Sequence, residues 1–134
     1  MRALTALLVM MTGPALADGP CIRGTDALLT VTDWSATDSN TGIQITVTIR
    51  SNGRKNIKMI EGAAYFKDAL GRQIGGDFGG APLNPDLNIG AGQTIESKTR
   101  SVMLERLLTV GQANVKAFTC VLAVLYEDGT KETF

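Results

Sequence analysis

The residues of this chain that could carry chemistry are few and widely spaced. Histidine is absent from the 134-residue sequence, which excludes serine and cysteine catalysis with a histidine base and removes the commonest zinc and copper ligand. The carboxylates show no paired spacing; they include Asp33, Glu61, Asp68, Glu96, Glu127 and Asp128. Two carboxylates can still meet in the folded chain, so a carboxylate-based hydrolase stays open as an alternative. We expect no catalytic residues and a protein that is not an enzyme.

Two loops have the composition of ligand sites without the required spacing. Residues 84–90 place oxygen-bearing side chains at alternate positions, as a calcium loop does, but Gly90 and Glu96 each fall one residue late. An ordinary Asn/Asp turn is the competing interpretation. Residues 75–80 are rich in glycine, but no helix follows that could hold a phosphate. The sequence therefore predicts no metal and no cofactor.

Four basic residues cluster around one turn: Arg50, Arg54, Lys55 and Lys58. This cluster is typical of a solvated turn, and it would also suit contact with an acidic partner or with lipid headgroups. The whole chain carries 13 basic and 13 acidic residues. This balance gives no reason to expect nucleic acid as a partner.

The first residues have the pattern of a signal peptide. Arg2 precedes the apolar residues 3–11, and Ala15-Leu16-Ala17 offers a small-x-small cleavage site. We therefore expect residues 1–17 to be removed and residues 18–134 to form one periplasmic or secreted domain. The only cysteines are Cys21 and Cys120. Because export exposes them to an oxidising compartment, the sequence predicts one disulfide between them.

The rest of the chain reads as short strands separated by turn residues. The clearest strand covers residues 42–50, where Ile43, Ile45, Val47 and Ile49 alternate with polar residues. Asn52-Gly53 then predicts a tight turn. Trp34 ends an apolar strand, which favours a place in the core over a ligand platform. The other strands are expected at residues 27–34, 57–67, 72–74, 93–103, 114–126 and 130–134, with a helical turn at 104–108.

The segment from Gly42 to Ile74 resembles a known family. Its strand, its Ser51-Asn52-Gly53 turn, Ile57 and the Ala64–Gly71 hairpin are similar to the middle of FxLYD and LEA14-type domains of exported bacterial proteins. The name-giving motif is matched only at Leu125-Tyr126. The resemblance implies an all-β fold, an immunoglobulin-like antiparallel β-sandwich of about seven strands. It supplies no catalytic residues.

Residues 75–92 form a long irregular segment with six glycines. Four large apolar residues interrupt it: Phe78, Leu83, Leu87 and Ile89. Irregular loops of this length are usually functional or disordered. Either the segment packs its apolar residues beneath itself, or it presents them to a partner.

Taken as a sequence, the chain favours a non-enzymatic periplasmic module that binds a protein partner or supports an envelope assembly. A carrier that holds a small apolar ligand between the sheets is one alternative, and the carboxylate hydrolase is the other. A protein partner is expected, and membrane contact stays open.

Overall fold

The computed structural model describes residues 20–77 and 79–134. The expected signal peptide, residues 1–17, and Phe78 lie outside the described residues. The strands are β1 (Leu29–Ser39), β2 (Gly42–Ser51), β3 (Ile57–Asp68), β4 (Ala81–Pro82), β5 (Thr94–Ser101), β6 (Val115–Tyr126) and β7 (Lys131–Thr133). Two short 3₁₀ turns, Glu105–Leu108 and Gln112–Asn114, lie between β5 and β6.

Strands β1, β2 and β5 form an antiparallel three-stranded sheet in the order β1-β2-β5. The alternation in β2 dictates its faces, because Ile43, Ile45, Val47 and Ile49 are all at most 2% exposed. Partner residues on β5 follow the same period, with Ser97 buried between exposed Glu96 and Lys98. This confirms the expected buried and wet faces of β2, and β5 shows the same alternation.

The second sheet is antiparallel and has the order β4-β3-β6-β7. The chain reaches it through residues 52–56, which link the end of β2 to β3 in the opposite sheet. The tight turn predicted at Asn52-Gly53 is therefore wrong, and neither residue has a positive φ. Instead, the Asn52 side-chain amide donates to the Ala27 carbonyl and the Thr30 hydroxyl, at 3.1 and 2.8 Å, which holds this crossover at the end of the sandwich.

One apolar core fills the space between the sheets. Trp34 of β1 contacts Phe66 of β3 edge to face, with ring centroids 5.3 Å apart, so the only tryptophan is a core residue as expected. Buried Thr119 also joins the sheets, since its hydroxyl donates to the Leu29 carbonyl at 3.3 Å. The strand order and the filled core confirm the all-β, immunoglobulin-like sandwich of seven strands.

The fourth strand differs from the expectation. Residues 72–74 form only an isolated bridge, Lys67 to Gln73, because the chain turns away at Gly75, where φ is +82°. The fourth strand is instead Ala81–Pro82, inside the segment expected to be irregular. No helix among the described residues is long and apolar enough to cross a membrane.

Candidate partner-binding groove

The disulfide places the N-terminal segment on the second sheet. Cys21 is bonded to Cys120 in the middle of β6, as the sequence predicted. A backbone bridge between Thr25 and Val121 continues the attachment, with N–H···O distances of 2.9 Å in both directions. Pro20, Ile22 and Arg23 consequently stand beside the outer face of this sheet.

The long loop supplies a second structure beside the same face. Leu83, Leu87 and Ile89 of this loop are at most 4% exposed and belong to the core. The interpretation of these three as a partner contact surface is therefore corrected: the loop packs them inward, against β3. Backbone bonds fix it there, from the Ile60 N–H to the Pro85 carbonyl and from the Leu83 N–H to the Gly62 carbonyl.

An apolar groove lies between these two segments on the outer face of the four-stranded sheet. Its floor is Gly62, Ala63, Tyr65, Phe118, Cys120 and Leu122. One wall is Pro20, Ile22 and Arg23, and the other is Gln73, Asp77 and Pro82, around a cavity of about 460 Å³. The Tyr65 and Phe118 rings stack with centroids 5.8 Å apart at one end of this floor.

A second stretch continues the groove along the sheet. It encloses about 670 Å³ and shares Glu61, Gly62 and Pro82 with the first. Beyond them it is lined by Met59, Ala123 and Leu125, where Met59 lies opposite Leu125 and Glu61 opposite Ala123. The two stretches thus form one strip from Tyr65 to Met59 that is apolar except for Glu61, which lies near its centre opposite Ala123.

Gly62 allows β3 and β6 to approach closely beneath the groove. A Cβ at this position would lie 2.7 Å from the Cys120 carbonyl oxygen and 3.1 Å from the Val121 Cα. The β3–β6 ladder shifts register between Glu61 and Gly62, and this irregularity brings the two backbones close together. The alternation of β3, whose Ile60, Ala64 and Phe66 are buried in the core, directs the Gly62 position inward. On the outer face the strip carries the small residues Ala63 and Ala123.

Few charges border the groove. Arg23, Glu61 and Asp77 line its first stretch, while Lys131 and Glu132 line the second. Glu61 and Asp77 are both exposed, and neither accepts a hydrogen bond within the described part of the chain. The acid of a two-carboxylate glycosidase needs a shielded carboxyl. Glu61 and Asp77 are better suited to contact polar groups of a bound molecule than to act as a catalytic acid and its partner.

The groups with shifted pKa values lie at turns. Backbone N–H donation from Arg72 to Asp68 lowers the pKa of that carboxyl, and Arg106, 3.3 Å away, acts in the same direction. The hydroxyl and backbone N–H of Thr130 lower the pKa of Asp128 to about 2, with Lys55 assisting. Burial and donation to Glu132 raise the pKa of Tyr126 to about 12. Asp68 and Asp128 thus stabilise turns, and the Tyr126 hydroxyl ties β6 to the edge strand β7 through Glu132.

The predicted basic cluster is exposed and lies at the β2–β3 end of the sandwich. Lys55 is engaged by Asp128 at 3.1 Å and stands 5.1 Å above the Tyr126 ring. Arg50, Arg54 and Lys58 are solvent-facing. The arrangement has the character of a solvated turn, and contact with an acidic partner stays a prediction.

The loop compared with calcium sites is built as an Asx turn. The Asn84 side-chain oxygen accepts the Asp86 N–H at 3.1 Å, so this oxygen already serves the backbone. The described residues contain no group of three or more side chains suited to hold a metal ion. The glycine-rich stretch runs into β4, and no helix follows it.

Sequence reasoning missed the groove, although one signal for it was present. Residues 117–125 are apolar at nearly every position, whereas a strand with one wet face alternates. That pattern indicates a strand with apolar surroundings on both faces.

Comparison with known proteins found no match for the chain. No protein-family model matches it, and neither the curated proteins nor the solved structures contain a significant match. The resemblance to FxLYD and LEA14-type domains stays a prediction.

Proposed function

We propose that the chain is an exported, non-enzymatic binding module that holds an apolar, extended segment of a partner protein in the groove. The groove itself carries this proposal. It is an apolar strip on a sheet face, and two segments from distant parts of the chain form its walls. Its two stretches of 460 and 670 Å³ each fall in the size range of ligand sites, about 300–1,000 Å³.

The shape of the groove favours an extended peptide over a compact ligand. From Met59 to Tyr65 the strip follows β3 for six residue steps, or about 20 Å at the rise of a strand. An occupant of that length in extended form has about six residues. Its backbone polar groups would contact Arg23 on one wall and Glu61 within the strip, while its apolar side chains would cover Ala63 and Ala123.

The alternative carrier, with its ligand between the sheets, has less support. Side chains occupy that space, with Phe66, Ile45 and Ile49 each 0% exposed. Close packing of this kind leaves no room for a guest without displacing the core.

Export is part of the proposal. The Cys21–Cys120 bond supports an oxidising compartment. Intact-mass analysis of protein recovered from the cell envelope should find a chain that begins at Asp18. A mass that retains residues 1–17 would contradict export by signal cleavage.

Site-specific photocrosslinking tests the groove directly. A photoreactive amino acid at Glu61 should give a discrete protein adduct in the envelope, whereas the same group at Thr48, on the opposite sheet's outer face, should not. Adding Ala123→Arg should abolish the adduct, because the new side chain fills the strip. Thr48→Arg is the matched control, and the melting temperatures of both variants should stay near that of the wild type. Equal adducts at both positions, or an adduct that survives Ala123→Arg, would refute the groove as the site.

A further inference from the structure

A second surface lies at the end of the sandwich where β1, β3 and β5 finish. Strand register places the β1–β2 turn beside the end of β5, since Ile43 is opposite Ser101, and it places the end of β3 beside the start of β6, since Asp68 is opposite Val115. The Arg106 guanidinium contacts Asp68 at 3.3 Å, so the 3₁₀ turn after β5 reaches the turn after β3. The loops of both sheets thus meet at this end.

Large apolar side chains project from these loops. Leu70 is 83% exposed, Val102 74%, Met103 52% and Leu108 42%. They come from two loops, residues 69–72 and 102–114, and we call them the apolar tips. Four such side chains at one end form a cluster, whereas single exposed apolar residues need no explanation.

Basic side chains stand directly behind the apolar tips. They are Lys67, Arg72, Arg100, Arg106 and Lys116. The acidic side chains at this end of the same elements are Asp38, Asp68 and Glu105, and Asp68 already pairs with Arg106. Asp77, on the neighbouring loop, lines the groove. Positive charge is therefore in excess here.

Two of these basic residues, Lys67 and Lys116, lie where their positive charges repel each other. They are directly opposite each other in the β3–β6 ladder, two residues beyond the stacked Tyr65–Phe118 pair and so on the same face. Like charges directly opposite across a strand pair destabilise a sheet. The Phe118 ring, 5.5 Å from the Lys67 ammonium, offsets part of this repulsion. An anionic surface would relieve the rest.

We propose that this end of the sandwich docks on an anionic phospholipid bilayer, with the apolar tips entering the headgroup region and the basic side chains contacting lipid phosphates. Peripheral membrane binding combines buried apolar area with attraction to anionic lipids. The two features coincide at this end. At the opposite end, Lys55 is paired with Asp128, and Glu127 and Asp128 accompany the basic cluster. The proposal does not depend on partner binding in the groove, although Lys67 and Lys116 lie on the same outer face and adjoin the Tyr65–Phe118 end of its floor.

Co-sedimentation with vesicles tests this inference on the chain that begins at Asp18. Binding should occur with mixed phosphatidylcholine and phosphatidylglycerol vesicles, be weak with phosphatidylcholine alone, and decrease as salt is added. Leu70→Ser with Val102→Ser and Leu108→Ser should reduce the partition coefficient by at least about tenfold. Lys67→Gln with Lys116→Gln should reduce it by about tenfold on mixed vesicles and leave the weak binding to phosphatidylcholine unchanged.

Two matched controls keep the result specific. Ile22→Ser removes a side chain that is 80% exposed at the groove, and Arg54→Gln with Lys58→Gln removes two charges at the opposite end; both should bind like the wild type. Absence of binding to mixed vesicles, or an equal loss in the controls, would overturn the proposal. A third outcome would also overturn the proposal: the protein does not bind vesicles, forms a dimer in sedimentation without vesicles, and becomes a monomer in the triple serine variant. The apolar tips would then form a contact between copies of the chain.

Discussion

Replacing Gly62 with alanine tests the close approach of β3 to β6 beneath the groove. The new methyl carbon would stand 2.7 Å from the Cys120 carbonyl oxygen, where ordinary contact begins at 3.4 Å. The neighbours it meets, the Cys120 carbonyl and the Val121 Cα, are backbone atoms. No rotamer change can therefore relieve the clash, and the two strands must separate locally by about 0.7 Å.

Overpacking of this kind lowers the free energy of unfolding by about 1–3 kcal/mol. Alanine also restricts the unfolded chain, which raises that free energy by about 0.4–1 kcal/mol. We expect a net loss of about 1–2 kcal/mol in the free energy of unfolding, which lowers the melting temperature by about 4–8 °C in a domain of this size. Trp34 is the only tryptophan and is 7% exposed, so its fluorescence reports unfolding in urea or on heating.

Gly111→Ala is the matched control. Its added carbon would meet nothing within 4 Å, and its φ of −62° suits any residue. This variant should be as stable as the wild type or more stable by up to about 1 kcal/mol. If Gly62→Ala unfolds at the same urea concentration as Gly111→Ala, the inferred close approach of the two strands is wrong.

Three further measurements address the core, the disulfide and the β7 edge. Ile45→Ala should lower the free energy of unfolding by about 2–4 kcal/mol through lost burial and a cavity, and a cost near zero in urea titration would place Ile45 outside the core. Cys21→Ser with Cys120→Ser should lower it by about 4–5 kcal/mol, because the bond spans 99 positions and restricts the unfolded chain; free thiols in non-reducing peptide maps of the wild type would contradict the bond. The pKa of Tyr126 rises in the fold from 10.0 to about 12, so its contribution to stability is present below pH 10 and is lost as the pH rises towards about 12. Tyr126→Phe should melt with a shallower dependence on pH over this window, and an unchanged slope would refute the raised pKa of Tyr126.

Most of the sandwich could be predicted from local patterns. Residues 43–49 alternate because one face of β2 meets the core, and that period survives folding intact. The single possible pairing of Cys21 with Cys120 needed only an oxidising compartment. The crossover at Asn52-Gly53 could not be predicted, because a turn signal does not say whether the next strand returns to the same sheet. There the Asn52 amide holds the N-terminal segment instead of closing a hairpin.

The groove could be predicted only in part, because the apolar run of residues 117–125 indicates two apolar faces but does not show what lies opposite it. Gly62, Ala63 and Ala123 mean little separately in the sequence, and the β3–β6 register alone brings them together. The same holds for the walls, which come from residues 20–23 and 73–82. Leu83 and Ile89 illustrate the opposite case. Their apolar character was evident, but only the backbone bonds of the loop to β3 decide that they face inward.

The sheet edges bear on how this protein behaves at high concentration. Within the described chain, β4 has two residues, one of them a proline, and β7 has three. The long edge strand β1 is bulged near Thr32, and its Trp34 carbonyl is occupied by the Gln112 amide, while β5 carries Glu96, Lys98 and Arg100. Short, bulged or charged edges resist the addition of strands from another chain. At high protein concentration, these sheet edges therefore offer little template for fibril growth, while the apolar strip on the sheet face stays exposed.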